Sequence, residues 1–363
     1  MDRRAFLKAG ALVPAAATLS TLPRFAAAGA PGQWRVFEVT TRAEVLNPAG
    51  ATRIWLPVPL TSDTPYQKSL GNAWMADAGA VSYSQDARHS MGIVRAEFPE
   101  SVKSPALVVT SRFATRDHAV DFSKRGGARE EPAVLKLNLR ATEFIPTDGI
   151  VRDTARDIVR GAKTDMDKAR AIYEWVVDNT FRDPKVKGCG WGDVNTMLDT
   201  RNFGGKCGDL NAMFVGLARA AGVPARDVYG VRVAPSVLGY KSLGAGTEVI
   251  SKAQHCRAEF YARGHGWVPV DPADVRKVVL EEPPGNLALT DPKVAAARKR
   301  LFGSWEMNWL GYNTAHDVQL PGSKGPRLPY FMYPNGETAQ GRLDQLDPDA
   351  FKYTITAREL KIA

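Results

Sequence analysis

The chain is 363 residues long, 44% hydrophobic and 24% charged, with 32 Gly and 24 Pro. That usage is ordinary for a globular protein with a sizeable core, excludes a collagen-like or low-complexity chain, and leaves room for two domains. The formal net charge of +9 falls partly in the first 28 residues. The rest is spread without a basic stripe or interleaved aromatics, which argues against a nucleic-acid partner.

Residues 1–28 read as an address. Asp2-Arg3-Arg4-Ala5-Phe6-Leu7-Lys8 resembles the twin-arginine export motif, and the apolar stretch Ala9 to Leu22 leads to an A-x-A cleavage site at Ala26-Ala27-Ala28. The stretch contains Pro14 and is shorter than the ~20 residues a membrane span needs. No later segment approaches that length. The expectation is therefore a periplasmic or extracellular protein with no stable membrane span after signal removal.

Residues 33–123 read as a β-rich, sandwich-like domain. Trp34–Thr41, Arg53–Pro59, Ile93–Phe98 and Ala106–Arg116 are β-branched and aromatic stretches divided by turn residues. The polar, Gly-rich segment 124–132 marks a boundary. Helices are expected over Val151–Arg160, from Thr164 (where Thr164-x-x-Asp167 forms a capping box) and over Cys207–Ala221, stopped by Gly222 and Pro224. Strands follow over Asp227–Val233, Ala253–Ala262 and Gly266–Pro272. A helix capped by Asp291 should run from Pro292 to Leu301, and Phe351–Thr356 suggests a final strand.

Cys207 opens a patterned helix between glycines. A thiol there feels unpaired N–H groups and the positive helix end, which favour the thiolate and can stabilise an oxyanion beside it. For a lone cysteine a small buried core residue is the better reading. The downstream hairpin changes the balance. Alternation puts His255, Arg257, Glu259 and Tyr261 on one face. With the turn centred on Arg263, His255 lies opposite Asp271, the carboxylate–imidazole pair that addresses a nucleophile. His89, His118 and His316 have no partner motif and read as surface or locally bonded residues, and His265 as a turn residue. A zinc set of Cys189, Cys207, Cys256 and His255 is weaker, because no Cys-x-x-Cys or paired-His spacing supports it, so no metal is expected. Since Cys207 must stay free, Cys189 and Cys256 are left to form a disulfide, in competition with two separate reduced thiols. By the chain-entropy model such a bridge contributes roughly 4 kcal/mol.

Three stretches in order resemble the transglutaminase-like core: Gly204–Arg226, with Gly-x-Cys opening a helix that closes in Ala-Gly-Val-Pro; His255 beginning a strand; and Gly266-Trp267-Val268-Pro269-Val270-Asp271-Pro272. The resemblance spans about Val151 to Pro272. It implies an α+β, papain-like catalytic domain over 133–290, preceded by the β-domain, with a C-terminal extension 291–363 packed on the catalytic domain. It further implies Cys207 as nucleophile, His255 as base and acid and Asp271 as orienting carboxylate. No cofactor is implied. The substrate would be a peptide or protein amide, with water or an amine as acceptor. Members usually carry a second oxyanion donor upstream of the cysteine, for which Trp175, Trp191 and Asn195 are candidates. Many have an aromatic two residues after the histidine, where this chain has Arg257, a candidate lining residue. The rival from another class is a non-catalytic cell-envelope scaffold that kept the fold.

Overall fold

The computed structural model describes residues 32–361 apart from Ala128; the signal-like segment 1–28 lies outside them. The first six strands are β1 (Arg35–Val45), β2 (Thr52–Val58), β3 (Gln67–Met75), β4 (Ala80–Asp86), β5 (Met91–Phe98) and β6 (Ala106–Thr115), followed by the short β7 (His118–Ala119). The helical part holds α1 (Pro132–Leu137), α2 (Gly149–Ile158), α3 (Asp165–Asn179), α4 (Val194–Thr200) and α5 (Cys207–Ala220), with short strands β8 (Phe181–Arg182) and β9 (Gly204–Gly205). Strands β10 (Ala225–Arg232), β11 (Gln254–Ala262) and β12 (Gly266–Val270) lead into α6 (Pro272–Glu281) and α7 (Pro292–Arg300). The tail adds β13 (Ser304–Trp305), β14 (Trp309–Asn313), β15 (His316–Val318), β16 (Leu328–Tyr330), β17 (Asn335–Thr338), β18 (Gly341–Arg342) and β19 (Phe351–Leu360).

The α+β class follows from how these elements bury their apolar faces. Sheets β19-β1-β6-β3 and β18-β17-β2-β5-β4 enclose Ala43, Val45, Ile54, Leu56, Val94, Leu107 and Phe351 between them, a sandwich core. The catalytic-domain sheet, β12-β11-β10-β14, packs against α5, whose Leu210, Met213, Phe214 and Leu217 are fully buried with Phe260 and Val268. Pro269 is tolerated because β12 is an edge strand of that sheet. A third cluster, with Phe37, Phe113, Val231, Leu310, Tyr312 and Ile355, joins the first sandwich sheet to the catalytic sheet.

Two expectations change here. The 291–363 segment is not only an appendage on the catalytic domain: β14 belongs to the catalytic sheet, but β19 pairs with β1 from Val36↔Leu360 to Val45↔Phe351, and β17 pairs with β2. Unpaired edges of the two sandwich sheets are thereby covered, which is the reason the tail returns across the molecule. The hairpin register also differs. The pairs Ala258↔Val270 and Ala262↔Gly266 centre the turn on Gly264 rather than Arg263. This displaces each partner by two residues and therefore preserves the faces. Gly264, at φ +88, accepts the left-handed turn geometry that Arg263 would resist.

Candidate active site

Cys207 is the first residue of α5, with Lys206 as its cap. Asp209, buried at the third helical position, accepts from the Lys206 N–H at 2.9 Å and from the N–H groups of Trp191 and Gly192 at 2.9 Å each. The Gly208 N–H donates to the Cys189 carbonyl at 2.7 Å. These bonds zip the Gly-rich loop 188–192 onto the helix start. The Cys207 N–H has no acceptor among the described residues, as expected at the first position of a helix, and is left available to an oxyanion.

His255 comes from the second residue of β11, where Trp309 Nε1 donates to its carbonyl at 2.8 Å. Opposite it stands Gly230, where a Cβ would lie 2.5 Å from the Trp309 ring, so glycine is what lets the indole cross the sheet there. His255 Nε2 lies 2.7 Å from Asp271 Oδ2 and 3.4 Å from Asp274 Oδ1. With Nε2 engaged, Nδ1 is the nitrogen left to address the Cys207 thiol. Asp271 reaches His255 diagonally across the hairpin and is also the N-cap of α6, accepting from the Asp274 N–H at 3.0 Å. Asn211 Nδ2, one helical turn after Cys207, donates to the other side of that carboxylate at 3.4 Å and to the Cys256 carbonyl at 2.9 Å.

The electrostatics favour a thiolate–imidazolium pair. Burial and the Arg232 guanidinium push the His255 imidazolium down, but Asp274 and Asp271 outweigh them and raise it from 6.5 to about 9. Hydrogen bonds with the Cys189 and Cys256 thiols, and then the His255 ring, hold the Cys207 thiol well below its ordinary range despite burial. Sharing with Cys207 pushes Cys189 up, and burial pushes Cys256 up. His255, Asp271 and Asp274 offer ligand atoms within 4.8 Å of one another. However, Arg232 Nη2 stands 2.5 Å from Asp274 Oδ1, so the acidic pair already has a cationic partner.

The structure brings Cys207, His255 and Asp271 together, and the first two line a cleft of about 690 Å³ with Cys189, Tyr333 and Gln254. The other expected residues lie elsewhere. Trp191 is 67% exposed, faces Phe144 and is outside the cleft; it meets α5 through its backbone alone, since Asp209 has claimed its N–H. Trp175 packs edge-on against Phe203 at 5.7 Å on the helical core, where α3 turns it inward. Asn195 is exposed on α4 and does not line the cleft. Arg257, buried, lies behind Asp271 with Nε 3.7 Å from Oδ2, donates to the Glu306 carbonyl at 2.9 Å and stacks over Trp309 at 4.8 Å. It therefore backs the carboxylate and lines no substrate space.

The expected Cys189–Cys256 bridge is absent and all three cysteines are free. Each thiol has its own surroundings: Cys189 Sγ donates to the Gln254 carbonyl at 3.5 Å, and Asn211 Nδ2 stands 4.0 Å from Cys256 Sγ. His316 is not a surface residue. Its side chain is 6% exposed, with Nε2 3.4 Å from Asp227 Oδ2 and Nδ1 3.3 Å from the Tyr229 hydroxyl, behind the sheet and outside the cleft. Sequence reasoning missed Asn211, Asp274 and Arg232. The first two were findable: Asn211 follows Cys207 by four residues on one helix face, and Asp274 follows Asp271 by three. Arg232 carried no signal.

Residues 152–272 match the family described as the transglutaminase-like superfamily. An uncharacterized protein of Haemophilus influenzae is 34% identical over 354 residues, covering 90% of this chain and 92% of its own length. A solved structure from Cytophaga hutchinsonii, named as a candidate cysteine protease, is 14% identical and covers 90% of this chain and 98% of its own at a TM-score of 0.50. The periplasmic domain of TgpA from Pseudomonas aeruginosa is 16% identical over 70% of this chain and 92% of its own, at a TM-score of 0.33, a likeness too weak to bear on function. Fold and side-chain arrangement together define a papain-like α+β architecture preceded by a β-sandwich. The chain belongs to the transglutaminase-like superfamily.

Proposed function

We propose that the protein is an exported thiol enzyme that transfers or hydrolyses the acyl group of a peptide or protein amide. The Cys207 thiolate attacks the carbonyl carbon, and the C–N bond breaks as His255 gives its proton to the leaving amine, leaving a thioester. Water or an amine then attacks the thioester while His255 takes the incoming proton, and the Cys207 thiolate departs. Asp271 holds the ring's orientation and stabilises its cation. Export through the twin-arginine-like segment would place this chemistry in the periplasm or outside the cell. No helix among the described residues is long and apolar enough to cross a membrane.

One observation carries the reading: a helix-start cysteine beside a histidine, whose other nitrogen sits 2.7 Å from a buried carboxylate, opens onto a cleft large enough for a peptide segment. The test is mass spectrometry of cell-envelope peptides and proteins incubated with the enzyme and with Cys207→Ala. Bonds cut or made by the wild type alone are expected, and a tenth or more of the turnover surviving in Cys207→Ala rejects the nucleophile.

A further inference from the structure

The cleft at Cys207 has a charge balance unlike that of the chain. Seven of its lining residues are Lys or Arg and one, Asp344, is acidic, whereas the whole sequence holds 48 basic and 39 acidic residues. Three of the seven already have carboxylate partners. Arg232 pairs with Asp274, and Arg182 and Lys277 both pair with Glu281. The other four, Lys187, Lys206, Lys252 and Lys352, have no ion pair among the described residues.

These four come from separate stretches of chain: the loop before Cys189, the cap of α5, the segment before His255, and β19. A solvated helix or strand face gathers its charges from one element, whereas here four segments converge on one cleft. Lys352 is informative. It stands opposite Glu44 in the β1–β19 ladder, yet Glu44 bonds Arg42 at 3.1 Å, and Lys352 lines the cleft instead. Lys206 is half-buried and directly precedes the cysteine. Amines without counter-ions around a concavity concentrate field lines and favour an anion, although Lys187, Lys252 and Lys352 are themselves exposed. Tyr333, Phe351 and Tyr353 give the same cleft an apolar floor for the rest of a bound segment.

We propose that the acyl donor is an acidic peptide, with carboxylates on either side of the amide presented to Cys207. This rests on the reading of Cys207 as the nucleophile. Lys206 meets a carboxylate next to the reacting carbonyl, and Lys187, Lys252 and Lys352 meet those further along the segment.

The cleft's charge is read without knowing the natural substrate by alkylating the full-length protein with iodoacetate and with iodoacetamide. The two reagents are similar in size and differ in charge. The modified residue is located by peptide mass, and the rate ratio at Cys207 is compared with that in the unfolded protein. The folded ratio should favour iodoacetate by roughly tenfold at low ionic strength and fall towards the unfolded value in half-molar salt, where the screening length is about 4 Å. It should also fall several-fold in the double variant Lys252→Glu, Lys352→Glu, both exposed positions. A Glu-containing peptide should protect Cys207 from iodoacetamide at least tenfold better than its Gln counterpart. A ratio equal to the unfolded one, a raised ratio indifferent to the lysine substitutions, or equal protection by the two peptides would overturn the proposal. Failure of the nucleophile reading looks different: iodoacetamide itself would react no faster at folded Cys207 than in the unfolded chain near neutral pH.

Discussion

Gly190→Ala should damage the site from a distance, and the size of the effect can be worked out from its neighbours. Gly190 stands at φ +87, and a methyl built there would lie 1.8 Å from Asp209 Oδ2 and 2.2 Å from its Cγ. Asp209 is buried, so its carboxylate has no solvent to swing into. Making room breaks at least one of its bonds to the N–H groups of Lys206, Trp191 and Gly192. Each hydrogen bond to a charged group contributes about 1.5–3 kcal/mol, and a non-glycine residue at positive φ costs about 1–3 kcal/mol. Together the loss is on the order of 4 kcal/mol, a fall in Tm of roughly 5 °C for a chain of this size. Thermal unfolding measures it, and iodoacetamide labelling reads whether the loop still presents Cys207. In an Asp209→Ala background the clash has no partner, so adding Gly190→Ala should cost only the backbone strain, about 1–3 kcal/mol. A Gly190→Ala protein within about 1 kcal/mol of wild type, with Cys207 equally reactive, would refute the loop-clamp argument.

Other substitutions test the chemistry. His255→Ala should lose nearly as much turnover as Cys207→Ala, and Asp271→Asn less, because the carboxylate orients the ring without touching substrate; equal loss in all three, with folding intact, contradicts that division. The rate of Cys207 alkylation by iodoacetamide should reach half its plateau well below the ordinary thiol range of about 8.5, a shift that His255→Ala should reduce but not abolish, because the Cys189 and Cys256 thiols also lower it. His255 is raised from 6.5 to about 9 by Asp274 and Asp271 against burial, so its contribution to stability is fully present below about pH 6.5 and lost as pH rises through about 9. Urea unfolding of Cys207→Ala should show that loss between pH 6.5 and 9, and His255→Gln should not. Arg3→Lys with Arg4→Lys should retain the precursor in the cytoplasm, and normal export of the double variant would argue for a general secretory signal.

What the sequence revealed, and what it hid, follows from burial. Strands β1, β2, β5 and β6 were legible because each carries a run or alternation of apolar residues facing a core. Strands β3 and β4 were not, since they form sheet edges and are mostly exposed, so no period was imposed on them. Helix α5 announced itself by the apolar face of Leu210, Met213, Phe214, Leu217 and Ala218, and α3 by its capping box. Helix α6 was overlooked because Pro272 was read as a strand end, although Asp271-Pro272 is a cap followed by proline at the first turn. The Cys207, His255 and Asp271 constellation was visible in three motifs, and parity alone kept Asp271 on the right face when the register was two residues off. The shell behind it was not visible. Arg232 and Arg257 reach the carboxylates from β10 and β11 by tertiary packing, and no local pattern distinguishes a buried arginine from an exposed one.

Why the cleft needs the whole chain can be argued from β19. Its Phe351 is buried in the sandwich core, its Ile355 in the cluster that joins sandwich to catalytic sheet, and Lys352 and Tyr353 border the cleft. Alternation along one strand therefore ties three jobs to one register. The loop before it, with Leu346 packed where a Cβ on Gly188 would lie 3.0 Å away, closes the same wall against the cysteine-side loop. A slip of β19 against β1 by one residue would exchange its faces, withdraw Phe351 from the core and turn Lys352 away from the cleft. The sandwich thus acts on the chemistry through position: it fixes the strand that carries one rim of the cleft, while the catalytic domain's helix start and hairpin fix the other.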